Sequence, residues 1–470
     1  MLDVRPPLKF VRSASYYEKK DNIRATAGGF RRAGGVGSHR LTYAQITASE
    51  DRTMRREEAT GSNHIGWKFF VRALRYRNYR LFFAGQSVSL SGTWIQIVAV
   101  SWLIYRLTNS PLLLGIVAFA GQVPTFIIAP FAGVVADRFN RRKILIITQT
   151  ALMLQALILA FLAISGHIAV WHIFILNILL GLASGFDIPA RQAFVVDIIE
   201  NKGDLINAIA LNSSMFNAAR LVGPSIAGII IATAGEGACF LINGVTFLAV
   251  IFALLAIRTK PMPPEAKKSR ILQDLKEGFV YTFSFRPIRY ILLLLSLVSL
   301  CGMSYVVLMP IFAREILGGN SQTLGFLMAA AGLGALAGTI FLASRKDTRG
   351  LEKIITSGTA VFGLSLAIFS FSRNFWLSLL LLFTGGFGMM IQMGASNTVL
   401  QTLAHDDKRG RVMSFFAMAF MGMAPFGSLL AGALASKIGA THTLLLSGLS
   451  CLIGSAVFAR KLSAQPGIPK

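Results

Sequence analysis

Residues 133–143 read Gly-Val-Val-Ala-Asp-Arg-Phe-Asn-Arg-Arg-Lys, and they separate two apolar runs, about 111–136 and 144–165. Crossing roughly 30 Å of hydrocarbon at 1.5 Å per residue takes about 20 residues, so each run is long enough to span a bilayer as a helix. The basic cluster between them cannot enter lipid, which makes the stretch a short turn at a membrane surface. Within it, Gly133 admits close helix packing and Asp137 can cap or charge-compensate a helix end. Arg138, Arg141 and Arg142 can reach carboxylates on facing helices in one conformational state. Read on charge alone, the same residues equally make a plain loop that orients the helices.

Working outward, ten more apolar runs appear, at about 80–105, 170–196, 204–232, 238–257, 289–313, 321–343, 353–372, 376–402, 411–436 and 440–460. The chain is 54% hydrophobic and 14% charged over 470 residues, with mean hydropathy +0.61; water-soluble domains carry about 25% charged residues. Lipid offers the backbone no hydrogen bonds, so only helices or closed barrels span it, and unbroken runs exclude the alternating pattern of a barrel. The expected fold is an all-α integral membrane protein of twelve transmembrane helices.

The formal net charge of +25 suggests nucleic acid only if the chain is soluble. In a membrane chain, Lys and Arg collect in short cytoplasmic loops and face anionic lipid. Arg138, Arg141, Arg142 and Lys143 share one side with Arg191, Lys202, Arg345, Lys346, Arg349, Lys353, Lys408, Arg409 and Arg411, and with the basic residues of 258–288. The other side offers little beyond Arg106, Arg314, Arg373 and Lys437. The basic side, with both termini, is therefore expected in the cytoplasm. Cys239, Cys301 and Cys451 sit in apolar stretches without CxxC spacing and read as buried packing residues.

The expected organisation has five parts. Residues 1–75 form a basic, mostly disordered cytoplasmic region, with an aromatic and basic interfacial anchor from Trp67 to Arg80 and a second possible start at Met54. Residues 76–257 form an N-terminal six-helix bundle, 258–288 a linker with Pro261, Pro263, Pro264 and the amphipathic stretch ILQDLKEGFVYTF, 289–462 a second six-helix bundle, and 463–470 a tail. The halves repeat weakly: GPSIAG at 223–228 overlays GSLLAG at 427–432, and DRFNRRK at 137–143 falls near SRKDTRG at 344–350. Internal repeats of this kind build secondary transporters, whose halves rock about a midplane site.

The 133–143 stretch resembles the signature loop of the major facilitator superfamily, G-x-x-x-D-R-x-G-R-R/K, with Asn140 where the pattern has Gly. Asn is the next most tolerant residue in a left-handed turn. GFDIPARQAFVVDII (185–199), NAIALNSSMFNAARLVGPSIAG (207–228) and RGRVMSFFAMAFMGMAPFGSLLAG (409–432) resemble the drug and siderophore efflux branch that includes the enterobactin exporters, over about residues 68–462. The resemblance implies two pseudo-symmetric bundles and an alternating-access exporter of small molecules. It also implies proton coupling and a chain complete as a monomer, with Gly133, Asp137, Arg138, Arg141, Arg142, Arg409 and Arg411 holding one state closed. Gly223-Pro224 resembles an exporter motif of the fifth helix, where a proline frees a carbonyl and permits a kink.

A charge at the bilayer centre costs about 3 kcal/mol on insertion scales, so charges placed there need a reason. Arg220 lies well within the fifth helix. Its expected partner is Asp187 on the fourth, because helices joined by a short loop pack antiparallel and the two lie at similar depth. That pair reads as a structural salt bridge or as a group contacting substrate or protons. Trp94, Gln96, Gln122, Asn212, Asn217, Gln392 and Asn397, with Phe119, Met303 and Met390, are candidate residues of an amphipathic cavity; interhelical packing is the alternative for each. No Walker A, HExxH or GxSxG motif occurs and the six His are scattered, so neither a metal nor a cofactor is expected and ATP is not the energy source. The competing classes are an importer, a lipid flippase, a non-transporting receptor of the same fold, and a membrane-embedded enzyme, which should cluster catalytic groups that this chain does not.

Overall fold

The structure, a computed structural model, describes residues 72–258, 279–345, 347, 350–405 and 408–463. The N-terminal region through residue 71, the prolines and most of the amphipathic stretch of the linker, Lys346, Arg349 and the tail from 464 lie outside the described residues, as do the side chains of Asp137 and Lys202.

Among the described residues, ten apolar helices are long enough to cross a membrane. The first four are α1 (Arg77–Thr108), α2 (Pro111–Arg138), α3 (Arg141–Ile164) and α4 (Val170–Ile198). Next comes Leu205–Ala256, whose 52 residues amount to about 78 Å of helix, more than twice a bilayer core. It is broken at Gly235, where φ 79° and ψ 174° define a conformation open to glycine and closed to side-chain-bearing residues. The chain reverses there into α5 (205–234) and α6 (236–256). Another run, Arg409–Lys461, reverses in the same way at Gly439, φ 82°, into α11 (409–438) and α12 (440–463). With α7 (Arg286–Ile316), α8 (Ser321–Ala343), α9 (Leu351–Phe369) and α10 (Phe375–Leu403), the described chain makes twelve crossings.

Helix starts follow local chemistry. The Ser110 side chain accepts from Leu113 N with Pro111 in the first turn, Asn320 accepts from Gln322 N and Thr323 N, and Asn374 accepts from Leu377 N. Asn140 also caps: its Oδ1 accepts from Lys143 N at 3.2 Å. Its φ of −63° corrects the expected left-handed turn, so asparagine is useful here for its side-chain acceptor and not for backbone tolerance.

Alternate helix ends share a face. Arg142 at the start of α3 donates to Leu254 O and Leu255 O at the end of α6, and Asn78 at the start of α1 donates to Arg258 O. At the other end Arg106 pairs with Glu236 at 2.7 Å. The first end is called the basic face below and the second the far face.

Both halves are built alike. In the first, α1 lies between α5 and α6, with Gly223 against Trp94 and Gly85 against Ala249 and Val250. In the second, α7 lies between α11 and α12, with Gly427 against Leu300 and Gly454 against Leu294 and Leu297. The overlaid motifs thus do matching work: the first glycine of each, Gly223 and Gly427, meets the first helix of its own half. The last glycines, Gly228 and Gly432, meet Gly325 of α8 and Gly115 of α2 in the opposite half. Both of those partners sit one turn inside their helices, so the glycine stripes bring backbones into contact by the small-residue packing that lipid-embedded helices use.

Candidate functional site

The halves meet from the far face down to mid-membrane, where Gly332 of α8 lies against Leu221 and Arg220 of α5 and Gly422 of α11 against Phe126 of α2. Beyond the two glycine crossings, Ser321 Oγ donates to Gly228 O at 3.0 Å, Tyr105 of α1 donates to Glu315 of α7, and Arg314 donates to Asn109 at 3.1 Å. The Phe119 and Phe426 rings meet edge to face at 5.7 Å between α2 and α11. By contrast, α4 packs on α1, α2 and α3, and α10 packs on α7, α8, α9 and α11, each within its own half. A seal at one end, together with central helices that stay with their own half, leaves the space between the halves reached from the basic face.

At the basic face the signature residues bind the first half to itself. Arg141 Nη1 meets Asp197 Oδ1 of α4 at 2.6 Å and Arg141 Nε donates to Ala136 O. Arg142 caps α6, satisfying carbonyls that a helix end leaves open. Arg138 is exposed. Gly133 would have nothing within 4 Å of an added Cβ, so the close packing expected there is absent from this conformation: the glycine faces open space. In the second half, Arg409 Nε donates to Gln401 O at 3.0 Å and Arg411 is half-buried.

Sequence reasoning missed a clasp at this face. Asp204, 1% exposed, accepts Arg72 Nε at 2.9 Å, Arg75 Nη2 at 2.7 Å and Tyr76 OH at 2.6 Å. Asn207 Oδ1 accepts Ala73 N nearby. Part of the aromatic and basic stretch before α1, expected as an interfacial anchor, instead grips α5; a lone acid just ahead of an apolar helix is the signal that points to it. The Tyr76 hydrogen bond, followed by the two arginine charges, holds the Asp204 carboxyl below its ordinary pKa. A depressed acid stabilises the fold above its unfolded pKa, and that contribution disappears as pH falls through the folded value. The clasp is therefore expected to hold at neutral pH and to open below about pH 4. Asp204→Asn should lower the thermal midpoint at pH 7 by a few degrees and flatten its acid-side fall; an unchanged midpoint would rule the clasp out as a stabiliser.

At mid-membrane the expected Asp187–Arg220 pair does not form. Asp187 accepts Gln149 Nε2 at 2.7 Å and Thr148 Oγ1 at 3.0 Å from α3, and its ion-pair contact is Arg191 at 3.5 Å, one turn along its own helix. Arg220 has no hydrogen-bond or ion-pair partner among the described residues. The amides divide. Gln96 is corrected from cavity to core: it is 2% exposed, donates to Gln155 at 3.0 Å and accepts from Asn243 at 2.8 Å. Gln392 is buried and donates to Ser396 one turn along its own helix, while Asn212 accepts from Tyr79 OH at 3.2 Å and ties α5 to α1. Asn397 accepts from Gln401. Gln122 is exposed on α2, and Asn217 donates only to Ser213 O of its own helix. Trp94 is half-buried, its ring 5.8 Å from that of Phe216. The backbone at Gly223-Pro224 stays helical; the break lies at Gly235, and Gly223 instead lets Trp94 Cβ approach to within 2.5 Å of where its own Cβ would sit.

Residues 71–465 match the family profile described as transmembrane secretion effector. The staphyloferrin A transporter of Staphylococcus aureus is 27% identical over 382 residues, covering 81% of this chain and 95% of that protein. The multidrug efflux pump Tap of Mycolicibacterium fortuitum is 26% identical over 371 residues, covering 77% and 90%. Among solved structures, a bacterial homolog of the human lysosomal transporter Spinster, in an inward-facing and unoccupied conformation, superposes with TM-score 0.68 at 12% identity, over 84% of this chain and 99% of that one.

Proposed function

Because the chain belongs to the transmembrane secretion effector family of the major facilitator superfamily, we propose that it exports a siderophore- or drug-like small molecule across the cytoplasmic membrane by alternating access. The observation that carries this reading is the one-ended contact between halves: glycine crossings, Tyr105–Glu315 and Ser321–Gly228 at the far face, open space by Gly133 at the basic face. In this reading the basic face and both termini are cytoplasmic, and the structure is the state that receives substrate from inside. Transport proceeds by parting the far seal and closing the basic end, where Gly133, Asp137, Arg138, Arg141, Arg142, Arg409 and Arg411 face the second contact. Proton movement supplies the energy, and a single chain carries the whole pathway. In this reading the chain moves its substrate chemically unchanged, as a transporter and not an enzyme.

The test is uptake into everted membrane vesicles. Energised vesicles bearing the protein should accumulate substrate against its gradient and lose it when a protonophore is added. Accumulation in right-side-out vesicles instead would make the protein an importer, and indifference to the protonophore would make it a facilitator.

A further inference from the structure

Arg220 stands about midway along α5, where a charge without a partner is costly. Its direction follows from its helix. At 100° per residue, Gly223, which meets Trp94 of α1, lies about 60° to one side of Arg220, and Gly228, which meets α8, about 80° to the other. Val222 and Ile226, which with Phe326 and Leu333 line an apolar groove on the outside of the helices, lie on the opposite side. Arg220 therefore points between α1 and α8, into the space between the halves. Phe216 and Ser213, one and two turns below on the same face, are exposed.

The nearby acids are committed elsewhere. Asp187 is held by Arg191, Thr148 and Gln149, Asp197 by Arg141, Glu236 by Arg106, and Glu315 by Tyr105. Asp137, ending α2 at the basic face, is more than a dozen residues of helix from Arg220's depth, which is on the order of 20 Å. A guanidinium offers planar paired donors that match a carboxylate.

We infer that Arg220 forms an anion receptor in the space between the halves, and that the transported molecule carries a carboxylate which it binds. The inference rests on the transport reading and narrows it to anionic substrates. The guanidinium is left unpaired so that the substrate, and not the protein, supplies its counter-charge.

The experiment uses the full-length protein in lipid nanodiscs. Binding of citrate, as a carboxylate probe, and of tetraphenylphosphonium, as a bulky cation, is followed by tryptophan fluorescence. Citrate should bind, and Arg220→Gln should weaken it by roughly ten- to hundredfold, the loss of a charge-assisted pair, while Arg220→Lys retains part. Asn217→Asp, which places a carboxylate one turn from the guanidinium, should compete internally and weaken citrate as well; this variant answers the question should Arg220→Gln fail to fold. Citrate binding unaltered in both Arg220→Gln and Asn217→Asp, or tighter binding of tetraphenylphosphonium than of citrate, overturns the receptor. Arg220-dependent citrate binding in a protein that moves nothing in vesicles would retain the receptor and defeat the transport reading alone.

Discussion

Leucine at Gly228 is expected to slow transport by roughly ten- to hundredfold while leaving the protein in the membrane. A Cβ there meets Ser321 O at 2.7 Å, Gln322 Cα at 3.0 Å and Gly325 Cα at 3.2 Å. All three are backbone atoms of a helix that cannot turn aside. Overpacking of this kind costs roughly 1–3 kcal/mol, and here the whole penalty falls on the far-sealed state. The balance between states then moves by roughly ten- to hundredfold, and a cycle that must visit both slows in proportion. Gly432→Leu should act alike, since its Cβ meets Pro111 O at 2.7 Å and Gly115 Cα at 2.9 Å. The measurement is vesicle uptake beside maleimide labelling of Ser321→Cys, a position 3% exposed, from the far face. Labelling should rise as uptake falls. Gly133→Leu is the informative partner. With nothing within 4 Å of its Cβ, it should leave the thermal midpoint near wild type yet stop uptake, because the penalty falls on the state in which the basic end closes. Full uptake by Gly133→Leu would remove residue 133 from the gate.

Asp187→Ala should produce the largest loss of stability among the mid-membrane acids. The carboxylate is the acceptor for Gln149 and Thr148 of α3 and the counter-ion of Arg191. Its removal strands buried donors and a partly buried cation, at a cost on the order of 3 kcal/mol. The thermal midpoint of the purified protein reports it. A charge exchange separates the two possible partners: Asp187→Arg with Arg191→Asp should regain stability, and Asp187→Arg with Arg220→Asp should not. Rescue by the second exchange would restore the pairing that the sequence suggests.

That misassignment shows what a sequence of this kind carries. Depth was legible: the span drawn at 170–196 falls within a helix ending at Ile198, the one drawn at 204–232 starts one residue ahead of a helix beginning at Leu205, and depth alone places Asp187 level with Arg220. Azimuth was not. In a soluble protein one apolar stripe marks the inward face of a helix, but a lipid-embedded helix is apolar all round and loses that marker. Gln96 and Gln122 therefore looked alike, though one is locked between Gln155 and Asn243 and the other is exposed. The paired motifs GPSIAG and GSLLAG were legible as a repeat. Their shared geometry, with the first glycine on the home half and the last on the opposite one, arises only from the packing of the folded chain. Asp204 escaped because a cation-rich segment beside a membrane has two suitors, phosphate and carboxylate, and composition does not choose between them.

The trio of Gln96, Gln155 and Asn243 has a consequence for biogenesis. The three amides come from the first, third and sixth crossings, which leave the ribosome at well-separated times. Until α6 arrives, the Gln96 carbonyl faces hydrocarbon or a temporary donor, and such a group is costly in lipid. The first helix is thus held short of its final seat until the sixth has been inserted, and a chain interrupted before Asn243 should linger at the insertion machinery as an unfinished product open to proteolysis.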